Sequence, residues 1–297
     1  MTLPSYPQSP GNNVQPGWYP LRPLTIGELL AAGLRVAVRH LAVLAPLAFA
    51  ISALSSAVNL LVLAAKGSLR DYADGDLTRL PAGATAAQLD KFVRNFYGQV
   101  LPALAASAVI GLVLSPVLAG VATPFAAQAA TTRAGTHSGA LLRLRGRWPV
   151  LLGIGLAVGL LMGAGFVALV VPGILVWLLL LPAGPVAAME GLGIAETMHR
   201  AAALSKGFRL RLLGVSLLMG LIVGAIGLVV SSILQQLVGA DDPVTRLILG
   251  QLIGAVVSGI VAPWSSAVTA MLYIDIRMRR EGLGQALLAA SRPSYWS

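Results

Sequence analysis

Six runs of this chain, at about 41–65, 100–130, 149–171, 174–189, 212–238 and 247–274, contain no charged residue and consist chiefly of Leu, Ala, Val, Ile and Gly. No other feature constrains the fold as strongly. A helix rises about 1.5 Å per residue, so roughly 20 apolar residues cross a hydrocarbon layer about 30 Å thick. Inside that layer every peptide group must find its hydrogen bond within the protein, which leaves helices or closed barrels. Barrel strands alternate apolar and polar residues, and these runs do not. The expected fold class is an all-α integral membrane protein, with six transmembrane helices as three hairpins and cytoplasmic amphipathic interfacial helices. Composition agrees: 11% of residues are charged, where a soluble domain carries about 25%.

Residues 1–24 hold six prolines, with Tyr6, Trp18 and Tyr19 between them, and lack the apolar core of a signal peptide. They predict a disordered, Pro-rich cytoplasmic tail. Thr25 and Glu28 have capping-box spacing. The helix they open, to Arg39, is expected to lie in the interface with Ile26, Leu29, Leu30, Gly33, Leu34 and Ala37 on its apolar face. The longest connection is 66–99, with Asp71, Asp74, Asp76 and Asp90. Amphipathic segments also occupy 193–206 and 275–290. In the latter, Asp275 with Arg279 and Arg277 with Glu281 stand four apart, spaced to pair on a helix surface, and Gly282 suits a helix C-cap. The expected domains are the tail 1–24, a membrane domain 25–290, and a C-terminal tail 291–297.

A net charge of +10 admits a nucleic-acid partner or the positive-inside bias of membrane proteins. Distribution decides. Fifteen of the 21 Lys and Arg residues fall on one side of the expected topology, the side of Arg35, Arg39, Arg143, Arg145, Arg147, Arg209, Arg211, Arg277 and Arg279. The other side collects six aspartates. Both termini are therefore expected in the cytoplasm, in the inner cell membrane, and no nucleic-acid partner is expected.

Internal repetition is legible. Leu151-Leu152-Gly153-Ile154-Gly155-Leu156, continuing through Gly159 and Gly163, matches Leu212-Leu213-Gly214-Val215-Ser216-Leu217, continuing through Gly220 and Gly224. Each copy follows an Arg-rich segment and is answered by a returning run with a proline, Pro182 or Pro263. The first hairpin, whose return carries Pro116 and Pro124, is a looser copy.

Gly155, Gly159 and Gly163, and the pair Gly220 and Gly224, have the small-xxx-small spacing that lets membrane helices approach closely. Packing within the bundle and homo-oligomerisation both use such a face. The nine arginines named above are expected to contact anionic headgroups, each worth on the order of 1 kcal/mol. Pro116, Pro124, Pro182, Pro185 and Pro263 are expected helix breaks, and line a pathway if the protein has one. The six runs carry no ionisable mid-membrane residue, which disfavours proton coupling. Without cysteine, and with His40, His137 and His199 far apart in sequence, no metal site and no cofactor is expected. No HExxH, GxSxG or phosphate-binding glycine loop occurs, so no enzyme is expected.

Three blocks carry a family resemblance: Arg22-Pro23-Leu24-Thr25-Ile26-Gly27-Glu28-Leu29-Leu30, the stretch from Trp177 through Pro182, Glu190 and Lys206-Gly207 to Gly214, and Tyr273-x-Asp275-x-Arg277-x-Arg279-x-Glu281-Gly282-Leu283. On these the chain resembles the glycerophosphoryl diester phosphodiesterase membrane-domain family of six-span bacterial proteins, related to YciC-type membrane proteins, over about residues 20–290. It departs at Ala201, where a serine is frequent, and at Gly284, where an acidic residue is common. The Pro-rich tail and the Ala, Gly and Arg content look like an actinobacterial, stand-alone member. The family takes its name from fusions to a soluble phosphodiesterase, and that activity is not expected of this sequence. The resemblance implies a membrane domain that anchors, organises or handles lipid. The expected function is thus a non-enzymatic scaffold or accessory protein of envelope and lipid homeostasis, whose partners are anionic membrane lipids or another membrane protein. The alternative is a transporter or lipid-translocating channel built on the proline-bearing helices.

Overall fold

The computed structural model describes residues 17–80, 82–131, 137–142, 144–168, 170–237 and 241–290. Their regular structure is helical: α1 (Ile26–Arg39), α2 (Leu41–Ala65), α3 (Leu69–Asp74), α4 (Ala86–Asn95), α5 (Leu101–Thr131), α6 (His137–Leu142), α7 (Trp148–Ala168), α8 (Val170–Leu180), α9 (Ala183–Met189), α10 (Ile194–Ser205), α11 (Arg209–Leu237), α12 (Pro243–Glu281) and α13 (Leu283–Ala290). Six helical segments among these residues are long and apolar enough to cross a membrane: Leu41–Ala65, Ala86–Ala130, Trp148–Gly165, Val171–Met189, Arg209–Val230 and Pro243–Glu281. The protein is an all-α, multi-pass membrane protein.

The second of these segments begins earlier than its apolar run. Thr85 and Gln88 form a capping box, and α4 continues through a π-type turn at Phe96–Val100 into α5. The polar connection 66–99 is therefore partly helical. Its other helix, α3, packs on α12, and Lys66 Nζ donates to Gly98 O at 2.9 Å.

Helix α5 is the hub, packed on α2, α7, α9 and α12. Two crossings are close enough to require glycine. A Cβ on Gly155 of α7 would stand 2.1 Å from Val113 O, and one on Gly184 of α9 would stand 2.0 Å from Pro116 O. Gly159 also faces Val113. By contrast, a Cβ on Gly163, Gly220 or Gly224 would meet nothing within 4 Å. The spacing identifies a small face; it does not say whether a neighbour comes to it, and at these three none of the described residues does.

The prolines behave unequally. Pro116 and Pro124 lie inside continuous α5, and Pro263 inside continuous α12. Among these five prolines, only Pro182, the N-cap of α9, interrupts a span, and Pro185 lies within the first turn of α9. A proline removes one helix hydrogen bond, a loss that neighbouring helices in a bundle can absorb. Of the five expected breaks, one is a break.

The expected repeat has a structural counterpart. Leu151, Ile154 and Val158 on α7, and the equivalent Leu212, Val215 and Met219 on α11, are all buried. Short helices α1, α6 and α10 precede α2, α7 and α11 in chain order.

At the arginine-rich end the sequence-based expectation needs correction. Residues 1–16 lie outside the described residues, as do 291–297, but 17–24 are packed rather than disordered. Tyr19, Leu21 and Leu24 are buried. Trp18 N donates to Ala129 O at 2.7 Å, and Tyr19 Oη donates to Ala126 O at 2.8 Å. These residues form a strap under the end of α5. The phenol, wholly enclosed, has its ionisation pushed upward by burial. Tyr19→Phe should cost about 1 kcal/mol through loss of that bond, read as a lowered unfolding midpoint in detergent; an unchanged midpoint would show that the strap is not held there.

Helix α1 opens with the expected box: Thr25 N donates to Glu28 Oε2 at 2.8 Å and Glu28 N to Thr25 Oγ1 at 3.3 Å. The amide of Thr25 holds the Glu28 carboxyl below its usual range, with Arg22 assisting. The buried face is Leu29, Ala32, Gly33, Val36 and Ala37, while Ile26 and Leu34 are exposed. This face is rotated from the expected one because α1 packs on α12. There Gly33 meets Val268, and Trp264 Nε1 donates to Leu30 O at 3.0 Å.

Candidate functional site

The arginine-rich end is organised by three carboxylates, Asp275, Glu190 and Glu281. Asp275, with a fully buried side chain, accepts from Leu24 N at 2.8 Å through Oδ1, and from Arg211 Nε and Arg279 Nε, both at 3.0 Å, through Oδ2. The same two guanidinium groups donate to Leu24 O, at 2.6 Å and 2.8 Å. One carboxylate thus joins the strap, α11 and α12. A buried charge is tolerable only when it is paired and its lone pairs are filled, and here both conditions hold. Glu190, just past α9, accepts from Arg200 Nε at 2.7 Å and from Tyr273 Oη at 2.9 Å. Arg277 donates to Tyr273 Oη at 3.0 Å and to Glu281 Oε2 at 2.8 Å, and Arg200 also reaches Glu281. Hydrogen bonding to Glu190 raises the Arg200 pKa.

Above this layer lies a cavity of about 300 Å³. Its walls are Ser115, Pro116 and Ala119 of α5, Val158 and Met162 of α7, and Trp177 with Leu180 of α8. Helix α11 supplies Val215, Ser216, Met219, Gly220 and Val223, and α12 supplies Ser265, Ser266, Val268, Thr269 and Leu272. The cavity exists because α11, the least enclosed span, packs mainly along α12 and stands off from α5 and α7. No charged side chain lines it, and it is partly open. Its volume lies at the small end of the range for ligand sites, and its apolar walls with a few polar groups are the usual make-up of one.

Compared with protein families, curated proteins and solved structures, the chain matches none.

The residues singled out from sequence divide in three. Arg211, Arg277 and Arg279, expected at lipid headgroups, instead turn into the protein's own carboxylates and carbonyls, because Asp275, Glu281 and Leu24 O satisfy them at short range. Arg35 donates to Trp18 O at 3.3 Å, and Arg39 lies 4.6 Å from the centre of the Trp18 ring. Both remain exposed while holding the strap. Arg145 and Arg209 are exposed, and Arg147 is half-buried against Gly191; Arg143 lies outside the described residues. Of the five prolines, Pro116 lines the cavity, with Leu180 and Leu181 just before Pro182. Of the glycines, Gly220 lines it, and its missing side chain leaves room there rather than permitting a close crossing.

Sequence reasoning saw the pairs within α12, Asp275 with Arg279 and Arg277 with Glu281, as spaced to bond, and they do. It missed the partners that make Asp275 a hub, Leu24 and Arg211, because these arrive from distant elements and carry no local signal. It also passed over Ser216 and Ser266, since serine is common in membrane helices.

Proposed function

We propose that this protein is a non-enzymatic lipid-binding component of the cell membrane that holds an apolar chain between α11 and α5, α7 and α8, and serves as a scaffold or accessory protein in lipid and envelope homeostasis. The cavity carries this reading: it is apolar, uncharged and partly open between spans, where the surrounding fluid is lipid. The positive-inside bias puts both termini, and with them the arginine-rich end, in the cytoplasm. The exposed Arg145 and Arg209 then remain available to anionic headgroups.

Translocation is the second reading, favoured by Pro116 in the cavity wall. Against it, the arginine-rich end of the cavity is stopped by buried Leu272 and Tyr273 and the ion pairs beyond them, which favours holding a ligand over passing one. Flux of a labelled lipid in reconstituted vesicles separates the two.

Native mass spectrometry of protein released from its own membrane is expected to show retained lipid, and Gly220→Phe, which puts a ring into the cavity, is expected to reduce that occupancy at least tenfold with the fold intact. Equal retention by the parent and a folded Gly220→Phe would remove the cavity from the account. Protein free of lipid would remove the function.

A further inference from the structure

The hydroxyl groups in the cavity are not equivalent. Ser and Thr side chains in membrane helices usually return their proton to a carbonyl in the preceding turn. Ser115, Ser265 and Thr269 do so, to Leu112 O at 3.4 Å, Ala262 O at 2.9 Å and Ser265 O at 3.0 Å. Ser216 and Ser266 donate to no acceptor among the described residues. Ser266 is only 7% exposed and lines the cavity. A donor left unmade in so apolar a place costs about 1–3 kcal/mol. Two such donors on facing helices imply a ligand that brings acceptors.

Their depth narrows the ligand. Arg211 is bonded to Asp275, so that pair marks the charged layer on both α11 and α12. Ser216 lies five residues along α11 from that layer and Ser266 nine along α12, roughly 7 and 13 Å at 1.5 Å per residue. A headgroup layer is about 5–7 Å deep, so Ser216 stands near the edge of the hydrocarbon, where the ester carbonyls of glycerolipids lie, and Ser266 about one helical turn deeper along the same cavity. The apolar wall beyond them, with Met162, Trp177 and Val223, suits the attached chain.

Building on the lipid-holding reading above, we infer that the cavity selects ester-linked glycerolipid, with Ser216 and Ser266 donating to its acyl carbonyls. Neither serine takes a covalent part. Ether-linked analogues, alike in headgroup and chain, lack those carbonyls and offer only ether oxygens set back on the glycerol.

The test uses the full chain in nanodiscs made from equal amounts of diester and diether phosphatidylglycerol of matched chain length, with retained lipid read by native mass spectrometry. About fivefold enrichment of the diester is expected, the ratio that a net hydrogen bond near 1 kcal/mol produces. In Ser216→Ala/Ser266→Ala the enrichment should fall to one while the unfolding midpoint holds. Equal retention of the two lipids by the parent protein would overturn the selection and leave lipid binding standing. Enrichment that survives the double substitution would place ester recognition elsewhere and overturn the assignment to these serines. No retained lipid of either kind would overturn both this inference and the function it rests on.

Discussion

Asp275→Asn is expected to be the most damaging conservative substitution in the protein. The side chain keeps its shape and one acceptor, but Arg211 and Arg279 lose their shared counter-charge while Leu24 O still holds both guanidinium groups in place. Breaking a buried pair from one side costs about 3–5 kcal/mol, because the partner charge stays behind. Here two partners stay behind. For a chain of this size that corresponds to an unfolding midpoint lowered by roughly 5–8 °C. Residues 17–24 should also become open to protease, since Leu24 N loses an ionised acceptor and the strap its anchor. Arg22→Ala, which removes a half-exposed ion pair with Glu28, should do little by comparison, as surface pairs contribute little. A variant at Asp275 with parental stability and a protected strap would show that the carboxylate is not the hub its geometry makes it.

Gly184→Val is the second large effect. Its Cβ would fall 2.0 Å from Pro116 O and 2.8 Å from Pro116 C. The obstacle is backbone, which cannot rotate away as a side chain can. The crossing of α9 over α5 must open, and Gly120, whose own added Cβ would meet Gly184 O at 3.0 Å, sits in the same contact. Overpacking against backbone lies at the upper end of the usual range, about 3 kcal/mol, and the measurement is the yield of monodisperse folded protein together with its unfolding midpoint. Gly220→Ala is the matched control. Nothing lies within 4 Å of its added Cβ, so the variant should be neutral or gain up to about 1 kcal/mol from reduced chain entropy. A Gly184→Val protein that accumulates and melts like the parent would refute the close crossing.

The difference between these two glycines shows where local information stops. Gly220 belonged to a legible small-residue pattern and turns out to border a cavity. Gly184 belonged to no glycine ladder and turns out to sit at the tightest crossing. Spacing along one helix describes one face only; contact needs a second helix, and its position depends on every other packing choice in the bundle. The arginines repeat the lesson. Arg145 and Arg211 look alike in sequence, both basic and near the start of a span. Arg211 is drawn inward because Asp275 and Leu24 converge on it, and Arg145 stays exposed because no described group does.

What the sequence determined by itself is whatever follows from a single segment in lipid. Uncharged runs of about 20 residues must be helices, because their peptide groups have no other partner there. Thr25 with Glu28, and Gly282 at the end of α12, set two helix ends through bonds that close within a few residues. The tertiary structure alone decided what depends on residues far apart in the chain meeting. That includes the packed strap at 17–24, the Asp275 hub, the rotation of α1 onto α12, the continuity of α5 and α12 through their prolines, and the space left beside α11. Each is a balance between desolvating a group and the partner that meets it, and no local stretch contains both sides of that balance.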